Sequence, residues 1–379
     1  MNDLDIDGNL YTDSGKKIPK LNLDPKAYID KTIVIYGPSK TGKTIIVKNI
    51  MYFLKTYIDQ ILIIAPSEPS NRSYEGFVNS LFIHYKLYTC NESDPKKKDN
   101  WKEKAFNFLE SIWNRQEMMA SIYTRTNRIE IIKALFKYTA IHLQEEATPF
   151  IEKLEQEKHK VIESIKNKQS TEGVKENIIK DAVSKFDELL LKLYKKYIYI
   201  DCDNIWKKDL SEDERYSLYY LNFNPRLLLI FDDCAAQLKP FFTKEIFRKL
   251  FYQNRHSYIT LIACFQDDTD LPTNLRKNAF INFFTESIVC SSNFERTSNK
   301  YSKLTRELAT EFIPYVFKGY RKLAYIREDE NKYYFYHVTF EYPTRFVFGS
   351  DSINELCKIV QNEGTTMDKS NSYYEYFKI

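Results

Sequence analysis

The chain alternates short unbroken apolar runs with long stretches in which apolar residues recur at helical spacing. Thr32 to Tyr36 (TIVIY), Ile61 to Ala65 (ILIIA), Arg226 to Asp233 (RLLLIFDD), Ser257 to Gln266 (SYITLIACFQ) and Phe280 to Thr285 (FINFFT) are of the first kind. Short, β-branched-rich runs of this sort predict strands buried on both faces, as in a parallel sheet. Ile45 to Tyr57 (IIVKNIMYFLKTY) carries a helical pattern and follows the first run. The order strand, loop, helix, strand predicts a βαβ unit. From about Asn91 to Tyr197 the only glycine is Gly173, and charges alternate with apolar positions. There KLEQEKHKVIESIKNK and NIIKDAVSKFDELLLKLYKKY predict amphipathic helices paired as a hairpin across STEG. A polar helix is expected around Ser302 to Tyr315, and a β-hairpin over Leu323 to Val338 with its turn at Asp329 to Asn331. No fixed-period repeat is visible. The pattern predicts an α/β fold with a central, largely parallel sheet. It divides into an N-terminal arm (1–30), one domain (31–350) with a helical insertion at 91–215, and a polar C-terminal tail (351–379) that frays after about Asn362.

Composition narrows this reading. The chain has 379 residues, 43% hydrophobic and 28% charged, which suits a folded core and excludes wholesale disorder. The net charge is +4 from 56 basic and 52 acidic residues, so any polyanion site is a local patch and not a basic coat. Charges in the helical insertion nearly cancel, which favours a solvated element over a DNA-binding arm. No apolar run reaches the roughly 18 residues of a membrane span, and the polar start MNDLDIDGNL does not fit a secretory signal. Cys90, Cys202, Cys234, Cys264, Cys290 and Cys357 are far apart and lack zinc-type spacing, so they are expected as reduced, mostly buried thiols. The excess of Lys, Asn, Ile, Tyr and Phe over glycine looks like A+T-rich coding.

Candidate chemistry begins at GPSKTGKT, Gly37 to Thr44. It fits G-x-x-x-x-G-K-[ST] and sits between a predicted strand and helix. Gly37 and Gly42 let the backbone curl so that successive N–H groups of Ser39, Lys40 and Thr41 face one phosphate, while Pro38, in the same stretch, has no N–H to donate. The following helix adds its positive dipole end. Lys43 is placed to reach the β- and γ-phosphates of ATP, and Thr44 to offer a hydroxyl to Mg²⁺. RLLLIFDD delivers two carboxylates to the same sheet edge. Asp232 is expected to hold Mg²⁺ and Asp233 to polarise the attacking water as general base. Gln266 ends the next strand and is expected beside Asp232 as a γ-phosphate sensor. Arg255, beside His256, and Arg276 are alternative arginines for stabilising the transferring phosphoryl group, within the chain or in a neighbouring subunit. Rival chemistries lack their motifs. There is no NKxD box for a GTPase, no arginine-rich lid for a small kinase, no G-x-S-x-G elbow and no HExxH.

GPSKTGKT, APSEPSNRSYEGF, LLLIFDDC and FYQNRHSYITLIACFQDDTDLPTNLRKNAF together resemble the genome-packaging ATPases of large nucleocytoplasmic DNA viruses, the poxvirus-type branch of the FtsK–HerA superfamily. The resemblance covers roughly residues 30–90 and 220–345. It implies an ASCE-type P-loop ATPase, with Gly37 to Thr44 as Walker A, Asp232 and Asp233 as Walker B and Gln266 as the polar sensor. It further implies a homo-oligomeric ring that pumps double-stranded DNA into a capsid, with capsid or portal partners, in the host cytoplasm at the viral factory or in the virion. Two departures stand out. Asp233 occupies a place where cellular relatives usually carry Glu, and Gln253-Asn254 replaces an expected glycine-containing stretch. KEIFRK (Lys244 to Lys249) and KGYRK (Lys318 to Lys322) are candidate contacts to DNA phosphates. A nucleotide-gated assembly scaffold and a helicase or recombination ATPase are the alternatives on the same core.

Overall fold

The computed structural model describes residues 10–21, 24–85, 87, 101–167, 172–198, 210–327, 332–337 and 346–362. The chain forms two compact units, Met1–Glu117 with Pro225–Ile379, and Met118–Asn224.

The first unit opens with a small antiparallel ribbon, β1 (Leu10–Tyr11) with β2 (Lys17–Ile18), and a single-turn helix α1 (Pro25–Tyr28). The expected polar arm is thus partly ordered, because Leu10 and Ile18 are buried in the main core. Next come β3 (Thr32–Tyr36), α2 (Lys43–Leu54), β4 (Gln60–Ile64), the short helix α3 (Glu68–Asn71) and β5 (Ile83–His84). The long helix α4 (Trp101–Thr126) leads into the second unit, built from α5 (Ile129–Phe136), α6 (Ile141–Lys166), α7 (Glu172–Tyr197) and α8 (Glu212–Tyr219). The first unit then resumes with β6 (Leu227–Asp232), α9 (Ala235–Leu238), α10 (Glu245–Tyr252) and β7 (Ile259–Phe265). After α11 (Thr273–Arg276) it continues with β8 (Ile281–Phe284), α12 (Ser287–Glu295), α13 (Lys303–Val316), β9 (Arg321–Ile326), β10 (Lys332–His337) and α14 (Asp351–Asn362).

Eight strands form one sheet in the order β10-β9-β8-β3-β7-β6-β4-β5. From β8 to β5 all neighbours run parallel, whereas β9 and β10 are antiparallel at one edge. Every residue of β3, β6, β7 and β8 is buried. Alternate side chains explain why the sequence shows unbroken runs and not period-two stripes. Val34, Leu229 and Leu261 enter one core, while Ile33, Ile230 and Ile262 enter the core on the opposite face. The C-terminal hairpin pairs Tyr333 with Tyr325, and its expected turn at 329–331 lies outside the described residues. Cys234, Cys264, Cys290 and Cys357 are free and buried, as their spacing predicts, while Cys90 and Cys202 lie outside the described residues.

Two boundaries differ from the reading of polarity alone. The helical unit begins inside α4, at Met118, and not at the expected residue 91. The first half of α4 carries Ala105, Phe108, Leu109, Ile112 and Trp113 into the core of the first unit. The start of the polar tail is the amphipathic helix α14, whose Cys357 is buried. Residues after 362 lie outside the described set.

Within the second unit, α6 and α7 pack as a pair, with Lys158 Nζ 2.6 Å from Asp187 Oδ1. The linking residues 168–171 are not among those described. Ile132, Leu135, Ala147, Ile151, Leu190 and Tyr194 form its core. Among the described residues, no helix is long and apolar enough to cross a membrane.

Candidate functional site

The parallel strands β3, β6 and β7 bring their carboxyl ends to one edge of the sheet, and GPSKTGKT leaves β3 at that edge. Gly37 adopts φ +152°, and a Cβ there would lie 1.7 Å from Thr285 Oγ1, so only glycine fits this approach to the end of β8. Its N–H donates to Phe265 O (3.1 Å), which ties the loop to β7. Gly42, at φ +99°, opens α2 in the left-handed conformation. The unpaired amides of the first turn of α2 therefore face the loop. Lys43 is buried and donates from Nζ to Gly37 O (2.6 Å) and Pro38 O (2.8 Å), which holds its ammonium across the loop.

The loop is braced from β8. Thr41 Oγ1 donates to Pro38 O (2.8 Å) and meets Thr285 Oγ1 at 2.5 Å. Thr285 N–H donates to Tyr36 O (2.9 Å). Lys322, from β9, donates to Thr285 O (2.8 Å), and burial lowers its pKa, with Glu286 opposing.

Asp232 ends β6 beside Cys264 of β7 in register. Its Oδ2 accepts from Tyr74 OH at 2.7 Å. Burial pushes this carboxyl up, while the Tyr74 hydroxyl and the Lys43 charge pull it back. Asp233, one residue on, is exposed and sits at φ +55°, a left-handed conformation that aspartate tolerates better than most residues. Gln266, one residue beyond β7, donates from Nε2 to Asp233 Oδ1 (3.3 Å). The expected neighbour of Asp232 thus hydrogen-bonds to the next acid along. The Gln266 backbone N–H is held by Asp270 Oδ2 (3.2 Å).

The two arginines part company. Arg276 is buried, pairs with Asp268 and donates to Thr273 Oγ1 (2.8 Å). Asp268 is fully buried and also accepts from Arg296, Asn293 and Asn299. Arg276 is therefore placed in a buried polar cluster around Asp268. Arg255 is exposed in the turn that precedes β7, while Gln266 follows β7. The seven residues of β7 separate the two by about 23 Å, so Arg255 stands at the opposite sheet edge from Lys43 of its own chain. Of the KGYRK patch, Arg321 is buried and caps the last turn of α13 through Tyr315 O (3.0 Å) and Val316 O (3.3 Å). Within this candidate patch, the Arg321 guanidinium is therefore engaged with helix carbonyls. In KEIFRK, Lys244 and Arg248 are exposed and Lys249 lies 3.5 Å from Glu245.

Two residues of this edge, Glu68 and Tyr74, lie in the APSEPSNRSYEGF segment but are given no role by the sequence reading. Glu68 is buried and accepts from the backbone N–H groups of Ser73 (2.8 Å), Tyr74 (2.6 Å) and Glu75 (3.1 Å). Burial raises its pKa and those three donors oppose the rise. An acid in a loop rich in Ser, Pro and Asn is the one available signal for such a clasp.

Chemically, the curled loop, the Lys43 ammonium and the helix end suit a polyphosphate. Among the described residues, no three His, Cys, Asp or Glu side chains cluster as a metal cage. One buried carboxylate with the Thr44 hydroxyl nevertheless fits Mg²⁺, which takes few protein ligands and fills its shell with phosphate oxygens and water.

The chain is 50% identical over 370 residues, 98% of its length, to the protein B354L of African swine fever virus in the Tick/Malawi isolate, 99% of which is covered. The Badajoz and Warthog/Namibia isolates give the same identity and coverage. No family model matches. Among solved structures, the genome-packaging NTPase B204 of Sulfolobus turreted icosahedral virus 2 with AMP is 14% identical, with a TM-score of 0.36 and coverage of 83% of this chain and 98% of that one. The plasmid coupling protein TrwB with the GTP analogue GDPNP is 11% identical, with a TM-score of 0.33 over 89% and 92% of the two chains.

Proposed function

Since the chain belongs to the family of the African swine fever virus protein B354L, we propose that it is a viral ATPase motor that moves double-stranded DNA into a capsid. The observation that carries this reading is the convergence of GPSKTGKT, Asp232 and the Asp233–Gln266 pair on one edge of a parallel sheet. The poxvirus-type packaging branch, the homo-oligomeric ring, the capsid partner and the viral-factory setting follow from the motif resemblance and belong to the same proposal.

In this reading the loop amides, Lys43 and the end of α2 bind the ATP phosphates. Thr44 and Asp232 would hold Mg²⁺, which would supply charge neutralisation to the phosphates. Asp233 orients and deprotonates the attacking water. Gln266, hydrogen-bonded to Asp233, links that acid to the γ-phosphate. Arg255 acts in trans, since its own site is a strand length away and a ring would bring it to the neighbour's. Arg276 serves stability. Lys244 and Arg248 touch DNA phosphates without reading sequence.

The test is steady-state ATP hydrolysis with and without linear duplex DNA, beside Asp233→Asn. Losing a positioned base should cost about 10²–10⁴-fold in rate. Duplex-stimulated turnover that collapses in the variant supports the motor; turnover indifferent to DNA and to Asp233 refutes it. A second reading, a nucleotide-gated scaffold with slow turnover, is favoured by the short Asp233 side chain already bound to Gln266. A Lys43→Ala variant that still assembles and still supports packaging would select it.

A further inference from the structure

The loop after β4 is built around one acid. β4 and β6 are parallel neighbours, with Ile64 paired to Phe231, so the loop leaving β4 runs beside the end of β6. The chain turns through α3 and reverses at Arg72, which adopts φ +45°. Glu68, at the start of that turn, gathers three successive backbone N–H groups on its carboxylate. Charged acceptors of this kind make the stronger class of hydrogen bond. Tyr74 is the middle donor of the three. It is fully buried, and its hydroxyl reaches Asp232 Oδ2 at 2.7 Å. Lys48, on the helix that follows the phosphate loop, is close enough to Glu68 for its charge to be felt.

We propose that Tyr74 is a positioning residue for Mg²⁺ at Asp232, held in place by the Glu68 clasp. This rests on the reading of Asp232 as the Mg²⁺ carboxylate. A phenol O–H bonded to one carboxylate oxygen fixes the rotamer of the acid and leaves its orientation preset before metal and nucleotide arrive. Outer-shell donors of this type set ligand geometry and typically matter by about 10–100-fold in metal affinity. The clasp explains why a tyrosine in an irregular loop can do this: the backbone on either side of Tyr74 is fixed to a side chain of the same loop.

The experiment uses the full chain and the variants Tyr74→Phe, Glu68→Gln and Asp232→Asn. Calorimetry measures the affinity of a non-hydrolysable ATP analogue without Mg²⁺ and then across a Mg²⁺ series; the thermal transition is recorded in parallel. Tyr74→Phe keeps the buried ring and removes only the hydroxyl. Expected is an unchanged metal-free affinity with the Mg²⁺ midpoint raised about 10–100-fold, and a smaller rise in the same direction for Glu68→Gln. An unmoved midpoint in a folded Tyr74→Phe protein overturns the proposal, because a purely structural role would lower only the thermal transition. Should Tyr74→Phe not fold, an unmoved midpoint in Glu68→Gln overturns it. If Asp232→Asn leaves the midpoint unmoved, the metal assignment itself fails and Tyr74 falls with it; a shift in Asp232→Asn alone removes Tyr74 and leaves the motor reading intact.

Discussion

Strand β6 and helix α6 are both built from Leu, Ile, Phe and charged residues, and they use them in opposite ways. All six residues of β6 are buried. In α6, no residue from 152 to 167 is buried. Exposed apolar side chains such as Phe150 and Val161 share that helix with Lys133–Glu155 and Lys158–Asp187 ion pairs to its neighbours. The strand spends its sequence on delivering Asp232 and Asp233 to a fixed edge. The helix pair spends its sequence on solvent. Chemistry gathers where backbones are immobilised from both faces, because a carboxylate must be held within a fraction of an ångström to act.

The largest expected effect breaks the buried side of that comparison. Phe231 is fully buried in β6, so Phe231→Ala should destabilise the chain by about 3–5 kcal/mol. Leu189→Ala, on a residue of α7 that is 49% exposed, should stay within about 0.5 kcal/mol. Denaturant midpoints of the two variants check both figures. Equal losses would mean that the helical unit has a covered face.

Next is the Asp268 cluster. Arg276→Ala removes one of two guanidiniums from a fully buried acid, and the expected loss is about 3 kcal/mol, the low end for breaking a buried pair, since Arg296 remains. Arg255→Ala, at an exposed turn, should leave the thermal transition in place and lower turnover only in the assembled ring. The opposite pattern would return Arg276 to the finger role.

A third effect depends on pH. His84 ends β5 with its ring 4.9 Å from Phe108, and burial lowers its pKa from 6.5 to about 4. Above pH 6.5 the imidazole is neutral in the folded and the unfolded chain. Between pH 6.5 and 4 the unfolded chain binds a proton that the folded chain refuses, so stability falls with pH across that window. The full loss is about 3 kcal/mol. His84→Phe should flatten this part of a stability-against-pH curve; an unchanged slope would assign it to other groups.

The same contrast explains what could be read from residues alone. Buried parallel strands leave unbroken apolar runs, so five of the eight sheet strands were legible as such runs and β9 and β10 as a hairpin, as was the N-capped helix α13. The β5 strand was not, because two residues carry no pattern. The Glu68 clasp and the Tyr74 bond were not legible either: the clasp closes within one irregular loop, the Tyr74 bond joins that loop to a strand across 158 positions, and loops have no period to reveal a contact. Arg276 in LPTNLRKN reads as a candidate for stabilising the phosphoryl group, and its pairing with Asp268 was not legible because that acid is buried by packing, not by local sequence. The unit boundary inside α4 was hidden for the same reason, since one unbroken helix runs across it.

The smallest effect sharpens the solvated side. Lys158 and Asp187 join α6 to α7 at 2.6 Å, yet their side chains keep 24% and 33% of their exposure. A pair so open to water gains little over its hydrated partners and is screened by salt. Asp187→Asn should therefore cost no more than about 1 kcal/mol, and the cost should shrink further in 0.5 M salt. Double-mutant analysis with Lys158→Met isolates the coupling from each residue's own packing. If the coupling exceeded that figure and resisted salt, the pair would be shielded from water, and α6 and α7 would be held by burial as the strands are.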